Sequence, residues 1–552
     1  MKNFYYILLN IFIISFLISC NSTRYLKYQN RAYKKIHHRI EKTSDFQTFN
    51  EYQKDFLILA HIVKDAYPNY QEFLSEEEWQ KSVDETIRNL KQADMATAVF
   101  EYQKFLAQLK NNHTEVTFPS LFKLEEKIFL LAPYFLNGRW IIFDVHQSYP
   151  ETLIKSELLA INDFPVDTVY NKIKNYICAE SPELTYHSAY SDIMFGRPNL
   201  LNYLGLSYAN SCDSLKLTVK DTLQNIHTFL VPAINIKAGN IAWNKNGFGT
   251  RQSIVKTDSG YVYRFFPEYK TAYLQLNTFI DRRAMVIGIK DEVPIIFRPF
   301  AFNMLRKAYN GQPSPRMRMV KPGTENITAF YEDFFTKLKE SNCENLVIDV
   351  RNNSGGDIFY TYQLISFLTE RTDLKTFSRY IKYSDLYKQM EDTKEIEQNF
   401  LSLEKTKIAY DTLINISTIE EDENIFEKMK DTDFEYYVNS HDKIFKGNVY
   451  ILTSHYSASA ATALPVMIQD NNLGVIVGRS PANRTAKQSS FTRFRLPNSS
   501  IVINFSTLYF VRPDRENSNE ILLPDHIVPV QLSNEDYTFQ FLLNLIKNEE
   551  KK

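Results

Sequence analysis

Glycine is scarce in this sequence: its 552 residues include only 15 glycines, against 40 phenylalanines and 35 tyrosines. Propeller blades, collagen-like repeats and folds with several glycine-rich nucleotide loops all need many glycines, so this scarcity excludes those classes. Only four cysteines are present, which is too few for a disulfide framework. The cysteines form no Cys-x-x-Cys pair and the histidines do not cluster, so the sequence predicts no metal site.

An excess of either charge is also missing. The 64 Lys and Arg residues nearly balance the 65 Asp and Glu residues, so the overall field attracts neither nucleic acid nor an anionic membrane surface. With 44% hydrophobic and 23% charged residues the composition is that of globular proteins, which excludes wholesale disorder. At about 150 residues per domain, the length predicts three or four folding units.

The N-terminus has the pattern of an export signal. Lys2 precedes an apolar run over residues 4–17 that is too short to span a membrane, and the run ends in Leu-Ile-Ser-Cys at Cys20. This ending resembles a bacterial lipoprotein signal, which implies that residues 1–20 include the signal and that Cys20 carries the lipid. The alternative is an ordinary signal or a short anchor. We expect a tether over residues 21–50 and a lipid-anchored protein of the bacterial cell envelope, facing the periplasm because no acidic run follows Cys20.

Residues 51–130 are predicted to form a helical N-terminal domain. Apolar residues recur at helical spacing in two stretches, the first ended by Pro68 and the second preceded by Asp94 as a plausible N-cap. The pattern then changes to a short alternating strand after Asn-Asn-His-Thr. His113 is therefore expected at a helix-to-strand corner.

Residues 131–235 are predicted to form a small β-rich domain. Its segment Leu-Leu-Ala-Ile-Asn-Asp-Phe-Pro-Val, from Leu158 to Val166, resembles the part of PDZ domains where a strand turns through Asn-Gly ahead of a helix. Asp163 stands in place of the usual glycine, and no carboxylate-binding glycine loop is evident. The other interpretation is a β-rich domain that packs against its neighbours.

Residues 260–552 alternate between strands and helices. Buried-strand patterns at 345–350 and 449–453, with helices between and after them, predict parallel pairing with right-handed crossovers. Two inserts, 281–323 and 371–447, are too long for ordinary connections. We expect solvated excursions, with the alternative that one of them lines a cleft.

Two motifs in this core suggest chemistry. Ser-Ala-Ser-Ala-Ala, from Ser457 to Ala461, follows a strand and opens a helix, whose unpaired amides and positive dipole end suit a developing oxyanion. A strand ending in Arg-Asn-x-x-Gly-Gly, from Arg351 to Gly356, precedes it by about a hundred residues. Together with the His113 corner, this order resembles the C-terminal processing, or tail-specific, protease family, whose core is shared with the tricorn protease.

The resemblance implies a fold class and an activity. The fold is a mixed α/β protease core of the ClpP/crotonase type, with the helical domain and the PDZ-like domain attached. The activity is that of a serine endopeptidase acting on unfolded or C-terminal segments of proteins, without metal or organic cofactor. By motif, Ser459 is the nucleophile, and the backbone amides of Ala460 and of either Gly355 or Gly356 form the oxyanion hole.

The general base is open between two branches of the family. One branch uses a lysine about 25 residues after the nucleophile, but Arg484 occupies that position and an arginine cannot lose its proton. Lys487 could serve only with a rewired loop and a depressed pKa. The other branch uses a distant histidine, which favours His113 as the base because its titration lies near neutral pH.

The third residue of that branch is a glutamate, which implies Glu516 by motif or Glu520 by nearness to Pro-Asp. Thr462 stands where many members carry glutamate. Arg484 and Thr462 motivate one alternative, an inactive peptide-binding or scaffold lipoprotein. The resemblance implies a second, a carrier of a small apolar ligand on the same fold.

Overall fold

A computed structural model of the chain describes residues 46–117, 126–191, 194–208, 213–235, 242–244, 260–281, 298–299, 302, 326–390, 393–419, 425–429, 431, 437–485, 487–517, 519–531 and 536–549. The predicted signal, Cys20, most of the tether and most of the 281–323 insert lie outside these residues. Within the described ranges, no helix is both long and apolar enough to cross a membrane.

Three helices form the N-terminal unit, and each begins at a side chain that caps its first turn. They are α1 (Glu51–Ala66), α2 (Glu76–Asn89) and α3 (Met95–Ala107). Asn50 and Ser75 each form a capping box, and the side chain of Asp94 accepts from the backbone N–H of Thr97, as the sequence predicted. The apolar faces of the helices pack into one core around Phe56.

A small antiparallel sheet forms the second unit. Its strands are β3 (Leu131–Leu136), β4 (Arg139–Val145), β5 (Glu157–Ile161), β6 (Phe164–Pro165), β7 (Ser214–Lys220) and β8 (Ile226–Pro232), in the order β3-β4-β5-β7-β8 with β6 on β5. β2 (Lys127–Ile128) pairs with β9 (Ile234–Asn235) beside it. The unit also contains three helices: α4 (Val166–Ile173), α5 (Pro182–Ser191) and α6 (Pro198–Tyr203). Asn162 and Asp163 connect β5 to β6 with φ of 50° and 68°, so the aspartate takes the left-handed conformation that glycine usually supplies in a two-residue hairpin.

The main sheet of the core is the predicted parallel one. Its order is β10 (Tyr261–Phe266), β11 (Thr271–Leu276), β12 (Asn345–Asp349), β15 (Asn448–Thr453), β16 (Val475–Gly478) and β19 (His526–Ile527). Only the β10–β11 pair is antiparallel. This sheet is accompanied by four helices: α7 (Ile327–Glu340), α8 (Phe359–Ser366), α12 (Ala460–Asp470) and α13 (Tyr537–Glu549). β12 is buried along its whole length, as its continuous apolar sequence indicated.

A second sheet joins distant parts of the chain. It contains β1 (Glu115–Val116), β13 (Ser378–Tyr383), β14 (Thr412–Asn415), β17 (Lys487–Arg495) and β18 (Val502–Val511), with β18 bonded to β1, β13 and β17. The 371–447 insert, expected as a solvated excursion, therefore supplies two strands of a packed sheet, together with α9 (Tyr387–Met390), α10 (Lys394–Glu404) and α11 (Ile425–Lys428). β1 pairs antiparallel with β18, which attaches the segment after His113 to the C-terminal part of the chain.

Candidate active site

Ser459 lies at a strained corner between strand and helix. β15 ends at Thr453, α12 begins at Ala460, and Ser459 between them has φ 54° and ψ −120°. A residue other than glycine held in such a conformation costs roughly 1–3 kcal/mol and marks a place where the surrounding structure imposes the geometry. The Ser457 hydroxyl donates to the carbonyl of Val350, and the Ala458 amide donates to the carbonyl of Asn353, so the corner is tied to the loop after β12.

That loop contains the Gly-Gly turn, which contacts the nucleophile directly. A Cβ atom placed on Gly355 would lie 2.6 Å from Cβ of Ser459 and 3.2 Å from the amide nitrogen of Ala460. Gly355 and Gly356 have φ of 105° and 139°, which other residues rarely adopt. Only glycine at 355 leaves Ser459 and the first amide of α12 in place.

The structure separates the two candidate oxyanion donors in this turn. The Gly355 amide donates to the side-chain oxygen of Asn353 at 2.8 Å, so it is already occupied. Gly356 pairs with Phe279 in an isolated parallel β-bridge. The Phe279 amide donates to the carbonyl of Gly355, and the Asp357 amide donates to the carbonyl of Phe279. Across the described part of the chain, no acceptor takes the amide of Gly356 or of Ala460. These two amides are therefore the candidates for an oxyanion hole.

His113 lies at the predicted corner, half-buried between α3 and β1. Its backbone amide donates to the side chain of Asn111, which is fully buried. Nδ1 of His113 is 3.8 Å from Oε1 of Glu180, a carboxylate whose side chain is 1% exposed. This separation is longer than a hydrogen bond, but it places a buried negative charge beside the imidazole.

Asn483 connects the histidine corner to the nucleophile. Its side-chain oxygen accepts from the backbone amide of Ser459, and its side-chain nitrogen donates to Asn112 at 3.0 Å and to Glu180 at 2.8 Å. The structure thus brings Ser459 and the His113 corner to one site, although they are about 350 residues apart in the sequence.

Arg484, which stands where one branch of the protease family has its lysine base, forms a structural ion pair. The Arg484 guanidinium is 2.8 Å from Glu72 and 3.5 Å from Glu520, and it lies over the ring of Phe73. Its backbone amide donates to Oε2 of Glu180 at 2.8 Å. Lys487 begins β17 opposite Phe510, and its side chain lies outside the described part of the chain.

The glutamates predicted as the acid are in other positions. Glu516 is exposed at a turn, and Glu520 is exposed and faces Arg484. The carboxylate beside His113 belongs to Glu180, from the segment before α5, which makes Glu180 a third candidate for the acid besides Glu516 and Glu520. Sequence patterns did not indicate Glu180 because it belongs to no motif and reaches the site only through the packing of the small domain. Asn483 directly precedes the motif position held by Arg484, which is the one signal that could have identified it.

A cleft of about 1420 Å³ lies beside this network, between the helical unit and the small domain. Glu180 and Arg484 line it, as do the stacked rings of Phe135 and Tyr186, whose centroids are 4.1 Å apart, whereas Ser459 and His113 are not among its lining residues. A cleft of this size can accept several residues of an extended chain. In the described ranges, no group of three or more His, Cys, Asp or Glu side chains could hold a metal ion.

Comparison with known proteins supports the predicted family and fold. Residues 315–528, which contain the Gly-Gly turn and Ser459, match the model of peptidase family S41. Similar solved structures include mature CPAF, at 16% identity over 90% of this chain and 98% of that one, with a TM-score of 0.55. Mature CPAF complexed with lactacystin is also 16% identical, over 91% and 97% of the two chains, with a TM-score of 0.55. No curated protein matches the chain. At this identity the structural likeness shows a shared fold, and it confirms the predicted fold class.

Proposed function

We propose that this chain is a serine-type peptidase of family S41, whose model residues 315–528 match, and that it cleaves unfolded or C-terminal protein segments through an acyl-enzyme. One observation carries the proposal. Ser459, held at a strained corner against the Gly-Gly turn, is linked through Asn483 to the His113 corner and to a buried carboxylate. A nucleophile, a base within the same network and two oriented amides are the parts that acyl transfer needs.

In the proposed mechanism, Oγ of Ser459 attacks the scissile carbonyl carbon while His113 accepts the hydroxyl proton. The carbonyl oxygen becomes an oxyanion held by the amides of Gly356 and Ala460. The imidazolium then gives its proton to the departing amine as the C–N bond breaks, which leaves an ester on Ser459. Water attacks this ester, His113 accepts the proton of the water, and that proton returns to Ser459 as the acid product leaves.

His113 is favoured as the base for two reasons. Arg484, at the position of the lysine base, is permanently charged and already paired with Glu72. Glu180 is placed to stabilise the positive charge that forms on His113, since its buried carboxylate lies 3.8 Å from Nδ1. Lys487 stays the alternative base.

Thr462 does not favour an inactive protein. Its hydroxyl donates to the carbonyl of Ser457 at 3.0 Å and lies 3.3 Å from the side-chain oxygen of Asn483. The threonine therefore supports the corner that holds Ser459.

The function is tested by labelling with a fluorophosphonate probe and by proteolysis of an unfolded protein. We expect both to be lost in Ser459→Ala and in His113→Ala, and to survive in Lys487→Ala. Ser402→Ala and His441→Ala are matched controls, since both residues are exposed and lie in the 371–447 insert. Persistent labelling of Ser459→Ala, or no labelling of the wild type, contradicts the proposal; loss in Lys487→Ala with survival in His113→Ala overturns the choice of base.

Lactacystin offers a second probe because the CPAF structure with the same fold was solved in complex with it. Preincubation with lactacystin is expected to prevent fluorophosphonate labelling of the wild type. Mass spectrometry of the modified peptide should place the adduct on Ser459.

We also propose that Cys20 carries a lipid that anchors the protein to the cell envelope, facing the periplasm. The support is the Leu-Ile-Ser-Cys ending of the apolar N-terminal run. Metabolic labelling with a fatty acid should mark the wild type and not Cys20→Ser, and protease added to intact cells should leave the protein uncleaved. Labelling that persists in the variant, or cleavage in intact cells, contradicts the anchor or the orientation.

A further inference from the structure

Asn483 forms three hydrogen bonds inside the site. Its side chain is completely buried. The oxygen accepts from the amide of Ser459 and faces the hydroxyl of Thr462, and the nitrogen donates to Asn112 and Glu180. A primary amide offers two donors and two acceptor sites. Here both donors and one acceptor site have partners, since the single proton of the Thr462 hydroxyl goes to the carbonyl of Ser457.

The four partners come from three separate parts of the chain. Ser459 and Thr462 belong to the start of α12, Asn112 belongs to the histidine corner, and Glu180 precedes α5 of the small domain. Asn112 and Glu180 are 371 and 303 positions away from Asn483. The bonds of this one amide therefore determine where the histidine corner and the carboxylate lie relative to the nucleophile.

The bond to Ser459 also acts on the strained backbone. With φ of 54° the peptide before Ser459 is turned so that its N–H points into the interior, where Asn483 supplies an acceptor. Without this acceptor, a buried amide would lose its partner in a conformation that is already unfavourable.

We propose that Asn483 is a positioning residue for the serine peptidase reaction, and that it holds Ser459 in register with the His113–Glu180 pair. This inference rests on the proposed function. Asn483 does not touch the reacting atoms itself; it acts by fixing the nucleophile corner and the carboxylate on opposite sides of one planar amide.

Position 483 needs an amide side chain, and a carboxylate there would disrupt the site. Aspartate has nearly the same shape as asparagine but has no donors when ionised. In Asn483→Asp, the oxygens of Asn112 and Glu180 would face a third acceptor, and a second negative charge would lie beside Glu180. That charge favours the protonated form of the nearby imidazole.

The ionisable groups near the His113–Glu180 pair include Arg484, Glu72 and Tyr67. Arg484 is permanently charged and is paired with Glu72. Burial raises the pKa of the Tyr67 phenol, near Glu180, well above its usual value, so it stays neutral. The acid limb of the pH–rate profile is therefore expected to report on the His113–Glu180 pair.

The experiment compares the full-length wild type with Asn483→Asp on a peptide substrate that the wild type cleaves. We expect kcat to fall by about 100-fold with KM changed by less than about threefold, because two hydrogen bonds that orient the site are lost while the substrate cleft is untouched. The acid limb of kcat/KM should move to higher pH. The rate of fluorophosphonate labelling should fall in parallel.

Asn471→Asp is the matched control. Asn471 is also buried, lies just after the other end of α12, and donates through its side chain to the carbonyls of Lys375 and Met467. The same chemical change there is expected to lower stability and to leave the pH profile of the folded enzyme unchanged. If Asn483→Asp does not fold, Asn112→Ala removes one partner at a half-buried position and should lower kcat by about tenfold.

Two outcomes overturn the proposal. One is a wild-type kcat and pH profile in Asn483→Asp. The other is a loss of activity that only follows the loss of folded protein, with an unchanged pH profile. Neither outcome is the failure of the proposed function, which would appear as absent labelling of the wild type or as labelling of Ser459→Ala.

Discussion

Replacing Glu180 by glutamine tests whether a buried carboxylate steadies His113 during catalysis. The side chain keeps its size and loses its charge. Oε1 of Glu180 lies 3.8 Å from Nδ1 of His113, and the Glu180 side chain is 1% exposed. At an effective dielectric constant of about 20, opposite unit charges at this distance attract each other by about 4 kcal/mol. The attraction exists only after His113 has taken the proton of Ser459, so it stabilises the transition state and not the resting enzyme.

Loss of about 4 kcal/mol corresponds to a fall in kcat/KM of about 1000-fold. The amide of glutamine also has a single acceptor oxygen, whereas the two oxygens of Glu180 accept from Asn483 and from the backbone of Arg484, each at 2.8 Å. The substitution is therefore expected to lower kcat further and to leave KM nearly unchanged, since glutamine keeps the size of the Glu180 side chain in the wall of the cleft.

The assay measures kcat/KM for a cleaved peptide and the rate of fluorophosphonate labelling at neutral pH, each per folded molecule. Glu516→Gln and Glu520→Gln are measured beside Glu180→Gln. Both are expected to retain activity within about threefold, because both residues are exposed and Glu520 pairs with Arg484. A loss below about tenfold in Glu180→Gln, or the large loss in one of the other two variants, would refute the assignment of the acid.

Three further predictions concern the turn, the contact between units and the pH dependence of stability. Gly356→Ala should abolish labelling, because the new Cβ would lie 2.4 Å from the backbone of Phe279 at a φ of 139°. Asp55→Ala should lower the free energy of unfolding, measured in urea, by about 3–5 kcal/mol, since this fully buried carboxylate accepts four hydrogen bonds from residues 498–499. Burial raises the pKa of Asp144 to about 6, so the folded protein binds this proton more tightly than the unfolded chain does. Stability should therefore fall by about 1 kcal/mol as the pH rises from about 4 to about 6, and Asp144→Asn should remove that fall.

The variants of Gly356 and Asp55 each have a control in the same chain. Gly205 also has a positive φ, of 67°, but nothing lies within 4 Å of its added Cβ, so Gly205→Ala should retain labelling. Asp84→Ala changes an exposed carboxylate of α2 and should alter stability by less than about 0.5 kcal/mol. Equal losses in a variant and its control, or a pH dependence that persists in Asp144→Asn, would contradict the physical reasons given.

Local patterns were sufficient to predict the strand before Arg351, the helix after Ser459 and the helix-to-strand corner at His113. The buried strand before Arg351 and the small residues around Ser459 have a meaning that depends only on neighbours in sequence, since a strand, a turn and a helix start are local arrangements. The Gly-Gly turn and the histidine corner were recognisable for the same reason. The parallel order of the main sheet followed from the alternation of strands and helices.

Tertiary structure decided which groups complete the site. Asn483 meets Asn112 across 371 positions, and Glu180 reaches His113 only because the small domain packs beside the helical unit. Which glycine amide is available depended on the side chain of Asn353, whose bond to Gly355 leaves Gly356 as the donor. Contacts of this kind leave no periodic trace in a sequence, because they join single polar side chains whose partners are chosen by the folded geometry and not by their neighbours along the chain.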